Sequence, residues 1–230
     1  MNLIDISQQL LKASKSTSSV TSLLNQLEKI SLSQLQIELD TDKKRKAFWI
    51  NIYNAFAIIY LKPDPKVILN PIKRKQFFNK KRIQISACVF SLNDVEHQIL
   101  RKSKIWWGKG YLKQPFVKSC FRKLRVNSFD ARIHFALNCG GLGCPPIRYY
   151  KNETINEQLE IATQAFLFSE TKKDTAKNQI KISKLFSWYI GDFGGSKGII
   201  SFLKKYEIIT DLEYPKIIYS AYNWNPWINS

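Results

Sequence analysis

His134 and Cys144 are the residues whose types and spacing suggest chemistry: an imidazole and a thiol in the stretch HFALNCGGLGCPPIR, residues 134–148. A thiol attacks only as thiolate, so it needs a base, a cation or a helix N-terminus beside it. Each proline of Pro145-Pro146 pushes the residue before it out of the helical region, so Cys144 is expected outside any helix. A helix opening at Pro146 would leave the thiol just beyond a positive dipole end. The chain has two histidines, His97 and His134, and His134 is the nearer to this turn. The expected chemistry is acyl transfer or amide hydrolysis. Cys144 attacks, His134 moves the proton, and Glu96 or Asn51 orients or stabilises. The plainer readings are a small buried hydrophobe at a turn for Cys144 and a satisfied core residue for His134.

Residues 131–139, ARIHFALNC, alternate as a strand does, with Ile133, Phe135 and Leu137 on one face and His134, Ala136 and Asn138 on the other. That alternation sets Cys139 opposite His134 and makes Cys144 the better partner. On such a strand Asp130 lies roughly 13 Å from His134, too far to orient it. The orienting group should then be one of the polar residues carried into apolar helices: Asn51, Asn54 or Glu96. The two amides could equally brace the backbone of a neighbouring loop, because a buried amide needs partners. Cys139, Cys144, His134 and His97 could total four zinc ligands, but C-x4-C lies outside the tightest zinc-knuckle spacing and no second cysteine pair exists. A Cys139–Cys144 redox pair likewise lacks C-x-x-C spacing. No metal or cofactor is expected.

The elements that must position these groups follow from periodicity. Residues 3–37 predict a prefix of two helices broken at Ser16–Ser22. DKKRKAFWINIYNAFAIIYL, residues 42–61, predicts a helix capped by Asp40 or Asp42, ended by Pro63 and apolar nearly all round. RIQISACVF, 82–90, reads as a strand, and Ser91 with Asp94 makes a capping box for a helix carrying Glu96 and His97. Residues 105–126 suggest loops and a short helix. A second capping box, Thr154 with Glu157, predicts a helix to about Phe168. A short strand at NQIKIS follows, then two helices split at Gly194-Gly195, and an aromatic tail that packs back on the core. The fold class expected is α+β, mostly helical with a short antiparallel sheet: a prefix at 1–39 and a main domain at 40–230.

The 230 residues suffice for one core without disulfide staples. The net charge of +18 and the pI near 9.7 attract polyanions, although Lys, Ile and Asn together are also the mark of a low-GC genome. An anionic partner docked on a basic surface is therefore the alternative to an enzyme. Nucleic acid is the less favoured choice, because charge alone gives only a non-specific term. The N-terminal residues show neither a basic n-region nor a long apolar run, so no signal peptide and no membrane span are expected. A cytoplasmic location follows, with all four thiols reduced.

Four blocks in order, KAFWINIYNAFAI (46–58), SLNDVEHQILR (91–101), DARIHFALNCGGLGCPPIR (130–148) and KISKLFSWYIGDFG (181–194), resemble the successive blocks of the DUF547 family of bacterial, archaeal and plant proteins. The resemblance covers roughly residues 40–228. It implies no established activity. Its hallmark polar positions fall on Asn51, Asn54, Glu96, His97, Arg101, His134, Cys139 and Cys144, and its aspartate on Asp130. Where the terminal block of the family carries an acid, this chain has Asn223. The residue kinds suggest a papain-like or transglutaminase-like site acting on a peptide or amide, with Asn54, His97, Arg101, Cys139 and Arg148 as binding residues.

Overall fold

A computed structural model describes residues 2–210 and 212–228. Its helices are α1 (Leu3–Lys15), α2 (Thr21–Lys29), α3 (Leu32–Glu38), α4 (Asp42–Leu61), α5 (Pro71–Asn79), α6 (Ser119–Leu124), α7 (Ile155–Glu170), α8 (Leu185–Trp188) and α9 (Gly195–Lys205). Its strands are β1 (Ile83–Ile85), β2 (Cys88–Phe90), β3 (Lys172–Asp174), β4 (Gln179–Ile182) and β5 (Lys216–Tyr219). The class is α+β. The β1–β2 hairpin is antiparallel, whereas in the β3-β4-β5 sheet β4 pairs antiparallel with β3 and parallel with β5. No helix among the described residues is long and apolar enough to cross a membrane.

The α4 helix is the axle. Every residue from Lys46 to Ile58 is buried, as its unbroken apolar run requires. Thr41, not Asp40 or Asp42, caps it, accepting from Lys44 N–H at 3.4 Å. Asp42 instead holds the backbone N–H groups of Asn127 and Ser128, each at 2.7 Å. The α1 helix lies along α4, and the prefix holds three helices rather than two, because Ser31 caps α3 by accepting from Gln34 N–H.

Four further expectations change. Residues 82–90 form a hairpin instead of one strand, turning at Ser86 in the left-handed region (φ 56°). The capping box at Ser91 and Asp94 forms, but the turns it opens, Asp94–Leu100, are π-helical. Thr154 precedes α7 without a side-chain cap. The largest change is at 131–135, a 3₁₀ helix and not a strand, opened by Asp130, which accepts from Arg132 N–H.

That 3₁₀ turn is the seam of the molecule. Ile133 belongs to one hydrophobic core, built on α1, α4, β1–β2 and the π-helical turn. Phe135 belongs to a second, built on α7, β4, α8 and α9. His134 stands between them and is itself buried.

Candidate functional site

The 3₁₀ backbone removes the alternation that was to separate His134 from Cys139: both line one cavity of about 720 Å³. Glu96 and His97, from the π-helical turn, share it, as do Tyr53 of α4 and Tyr189. Trp106, Trp107, Trp188 and Trp224 supply much of the wall. Arg74, Lys75, Lys109 and Lys184 also line it, against the single carboxylate of Glu96. Two of the walls carry their own cations: Arg74 lies over Trp224 at 3.7 Å and Lys75 over Trp106 at 5.2 Å.

Beneath the floor is a residue the sequence reading passed over. The Asp192 side chain is fully buried, and its Oδ2 accepts from Arg101 Nε and His134 Nε2, both at 2.7 Å. Its Oδ1 accepts from Lys104 Nζ at 2.5 Å. Burial pushes this carboxyl up, but the bonds from His134 and Arg101 outweigh burial and hold it well below the ordinary carboxylate range. Asp192 therefore orients His134, the role expected of Asn51, Asn54 or Glu96. A signal for it existed: it is the one acid between Asp174 and Glu207, set in the apolar run FSWYIGDF, where a charge must find partners.

The network also assigns tautomers. An ionised Asp192 can only accept, so His134 Nε2 carries the proton and Nδ1 is the free acceptor. Arg101 Nη1 can only donate, at 2.9 Å to His97 Nδ1, so the His97 proton is on Nε2. Burial lowers both imidazoles, His97 well below its ordinary value, so both are neutral. Tyr189 stacks on His134 at 3.9 Å and donates to Glu96 Oε1 at 2.7 Å. One imidazole thus offers a donor and the other an acceptor. The hairpin closed by the Lys104–Lys113 bridge lies over Asp192. Gly110 permits this, since a Cβ there would sit 2.4 Å from Asp192 Oδ1 (φ +92°).

The other expected residues serve elsewhere. Asn51 accepts from Tyr150 N–H and donates to the Tyr150 carbonyl and to Ser7 Oγ. Asn54 donates to the Ala136 carbonyl and accepts from Asn138 N–H. Both amides thereby fasten the chain on either side of the cysteine turn to α4. Asp130 pairs with Lys46 and Arg132, not with His134. Asn223 accepts from Asn225 N–H. Arg148 is exposed and lines neither this cavity nor the next.

The thiol chemistry expected of this chain is overturned. Cys88 and Cys120 are joined in a disulfide, so the four cysteines are not a set of reduced thiols. Nor is Cys144 the partner of His134. Its Sγ accepts from Cys139 N–H at 3.0 Å and lies 3.0 Å from Tyr222 Oη, which is also 3.2 Å from Cys139 Sγ. It lines a separate cavity of about 530 Å³, apart from the cleft that His134 lines. The cysteine nucleophile, the papain-like arrangement, the hydrolase activity and the peptide or amide substrate inferred for it all fall together. Among the described residues no group of three or more His, Cys, Asp or Glu is placed to hold a metal ion.

Residues 37–167 match the model of a family described as "Protein of unknown function, DUF547". No curated protein and no solved structure matches the chain.

Proposed function

The chain belongs to the DUF547 family, and from that premise we propose that it binds a small anionic ligand with a flat ring face in the cleft over His134. One observation carries this reading: four cations and one carboxylate line a cavity walled by indole and phenol rings. Aromatic faces bind the flat side of a ring, and Arg or Lys at the rim meets its charge. The neutral imidazoles then read the polar edge of the ligand, His97 as donor and His134 as acceptor. Of the eight family hallmark positions, Glu96, His97, His134 and Cys139 line this cleft, and Arg101 fixes His97 from behind.

The prefix 1–39 supports the domain 40–230 without joining the site, since none of its residues lines the cleft. The Cys88–Cys120 bond favours an oxidising compartment over the cytoplasm.

Tryptophan fluorescence titrations with an oligoglucuronate, a nucleoside monophosphate and an aryl carboxylate test the reading. At least one should bind saturably, and Arg74→Gln or Trp188→Ala should weaken it by about tenfold or more. Binding by none of the three, or affinity indifferent to both variants, rejects it.

A further inference from the structure

The segment from Lys104 to Lys118 combines exposed apolar side chains with a run of cations. Five of the fifteen exposed large apolar side chains among the described residues fall within it: Trp106, Trp107, Tyr111, Leu112 and Phe116, the last 87% exposed. Residues 97–129 also contain nine Lys or Arg and no acid. Lys109, Lys113 and Lys118 are exposed.

This surface is built. Ile105 N–H donates to the Leu112 carbonyl at 2.9 Å and Gln114 N–H to the Ser103 carbonyl at 2.7 Å. Gly191 N–H fastens the tip by donating to the Lys109 carbonyl at 2.7 Å. The Cys88–Cys120 disulfide ties the following helix α6 to β2. A protruding aromatic and aliphatic surface on a fixed backbone loses little conformational freedom when it is covered.

We propose that this segment docks the protein on an anionic lipid surface. Trp and Tyr suit the headgroup level of a bilayer, and Phe and Leu suit the acyl boundary beneath it. All the cations from Lys102 to Lys118 are lysines. Lysine serves as a point charge toward the diffuse field of anionic headgroups, whereas reading individual phosphates or bases favours the guanidinium fork. Leu112 adds nothing to base stacking, which separates this surface from one made for single-stranded nucleic acid. Trp106, Trp107 and Lys109 also line the cleft, so docking brings its mouth to the lipid headgroups.

The inference stands apart from the ligand reading, because Leu112, Lys113, Phe116 and Lys118 do not line the cleft. The test is co-sedimentation with vesicles of phosphatidylcholine, alone and mixed with phosphatidylglycerol. The wild type should partition onto the mixed vesicles and much less onto the neutral ones. Lys113→Gln/Lys118→Gln should weaken partition about twenty-five-fold, at about fivefold per lysine. Leu112→Ser/Phe116→Ser should weaken it by at least about tenfold. These side chains are exposed, and circular dichroism of each variant checks the fold. As a second measurement, acyl chains brominated near the headgroup should quench wild-type tryptophan emission, through the exposed Trp106 and Trp107. The inference is overturned by no partition onto mixed vesicles, or by partition that the apolar variant leaves unchanged. It is equally overturned by oligonucleotide binding that depends on Phe116 in a protein that ignores vesicles.

Discussion

Replacing Asp192 by Asn should be among the costliest single changes in the molecule. The carboxylate is fully buried, as is Arg101, and His134 and Lys104 are 1% and 12% exposed. An amide of the same shape keeps the space filled but leaves Arg101 and Lys104 with no counter-charge. Breaking a buried pair from one side costs about 3–5 kcal/mol, because the remaining charge stays desolvated. With a urea slope of about 3 kcal/mol per molar, the unfolding midpoint should fall by about 1–1.7 M at neutral pH. Removing both charges, in Asp192→Asn/Arg101→Met, should recover part of the loss. The sign with pH is also set. The folded Asp192 value is depressed, so its stabilisation is present above the unfolded value of about 3.8 and is lost as pH falls toward the folded one. The variant should therefore lose part of the wild type's acid sensitivity. A midpoint shift smaller than about 0.3 M would refute the reasoning, since the cluster would then be solvated and could not fix the His134 tautomer.

Asn51→Ala should cost about 2–4 kcal/mol in urea unfolding, by leaving the buried Tyr150 backbone groups unpaired, while ligand affinity in the cleft stays unchanged. Thiol titration of the denatured, unreduced protein should count two free cysteines, Cys139 and Cys144; four would remove the disulfide. Reducing Cys88–Cys120, which span 32 positions, should lower stability by about 3–4 kcal/mol on the loop-entropy scale, measured as the urea midpoint with and without reductant. Both histidines are lowered in the fold, so the unfolded chain takes up protons first. Stability should be level above about pH 7 and decline as pH falls below about 6.5, a decline that His97→Gln/His134→Gln flattens.

Local rules found the elements and failed where packing took over. The run from Lys46 to Leu61 could be nothing but a buried helix, and Ser91 and Asp94 announced their turn. ARIHFALNC shows the limit. Its alternation is real, but it sorts Ile133 and Phe135 between two cores rather than onto one face of a sheet. A 3₁₀ turn serves that purpose in five residues, and the sequence does not say how many cores the chain will build. The site suffered from the same error. Reading 131–139 as a strand sent Cys139 away from His134 and favoured Cys144, whose thiol faces a different cavity. Residue type and local position point to Glu96, His97 and His134, whereas Asp192 comes from 58 positions downstream of His134, a distance over which periodicity carries no information.

The position of His134 at the seam bears on how the molecule comes apart. The first core anchors Arg101, Lys104 and the π-helical turn; the second anchors the loop that carries Asp192. The ionic cluster is thus a rivet through two plates, and a guest in the cleft would press on both at once. Each tenfold excess of such a guest over its dissociation constant adds about 1.4 kcal/mol to the whole assembly and to neither plate alone. Loaded, the protein should melt in one step at a higher temperature, and Asp192→Asn, with the rivet drawn, should lose part of that gain.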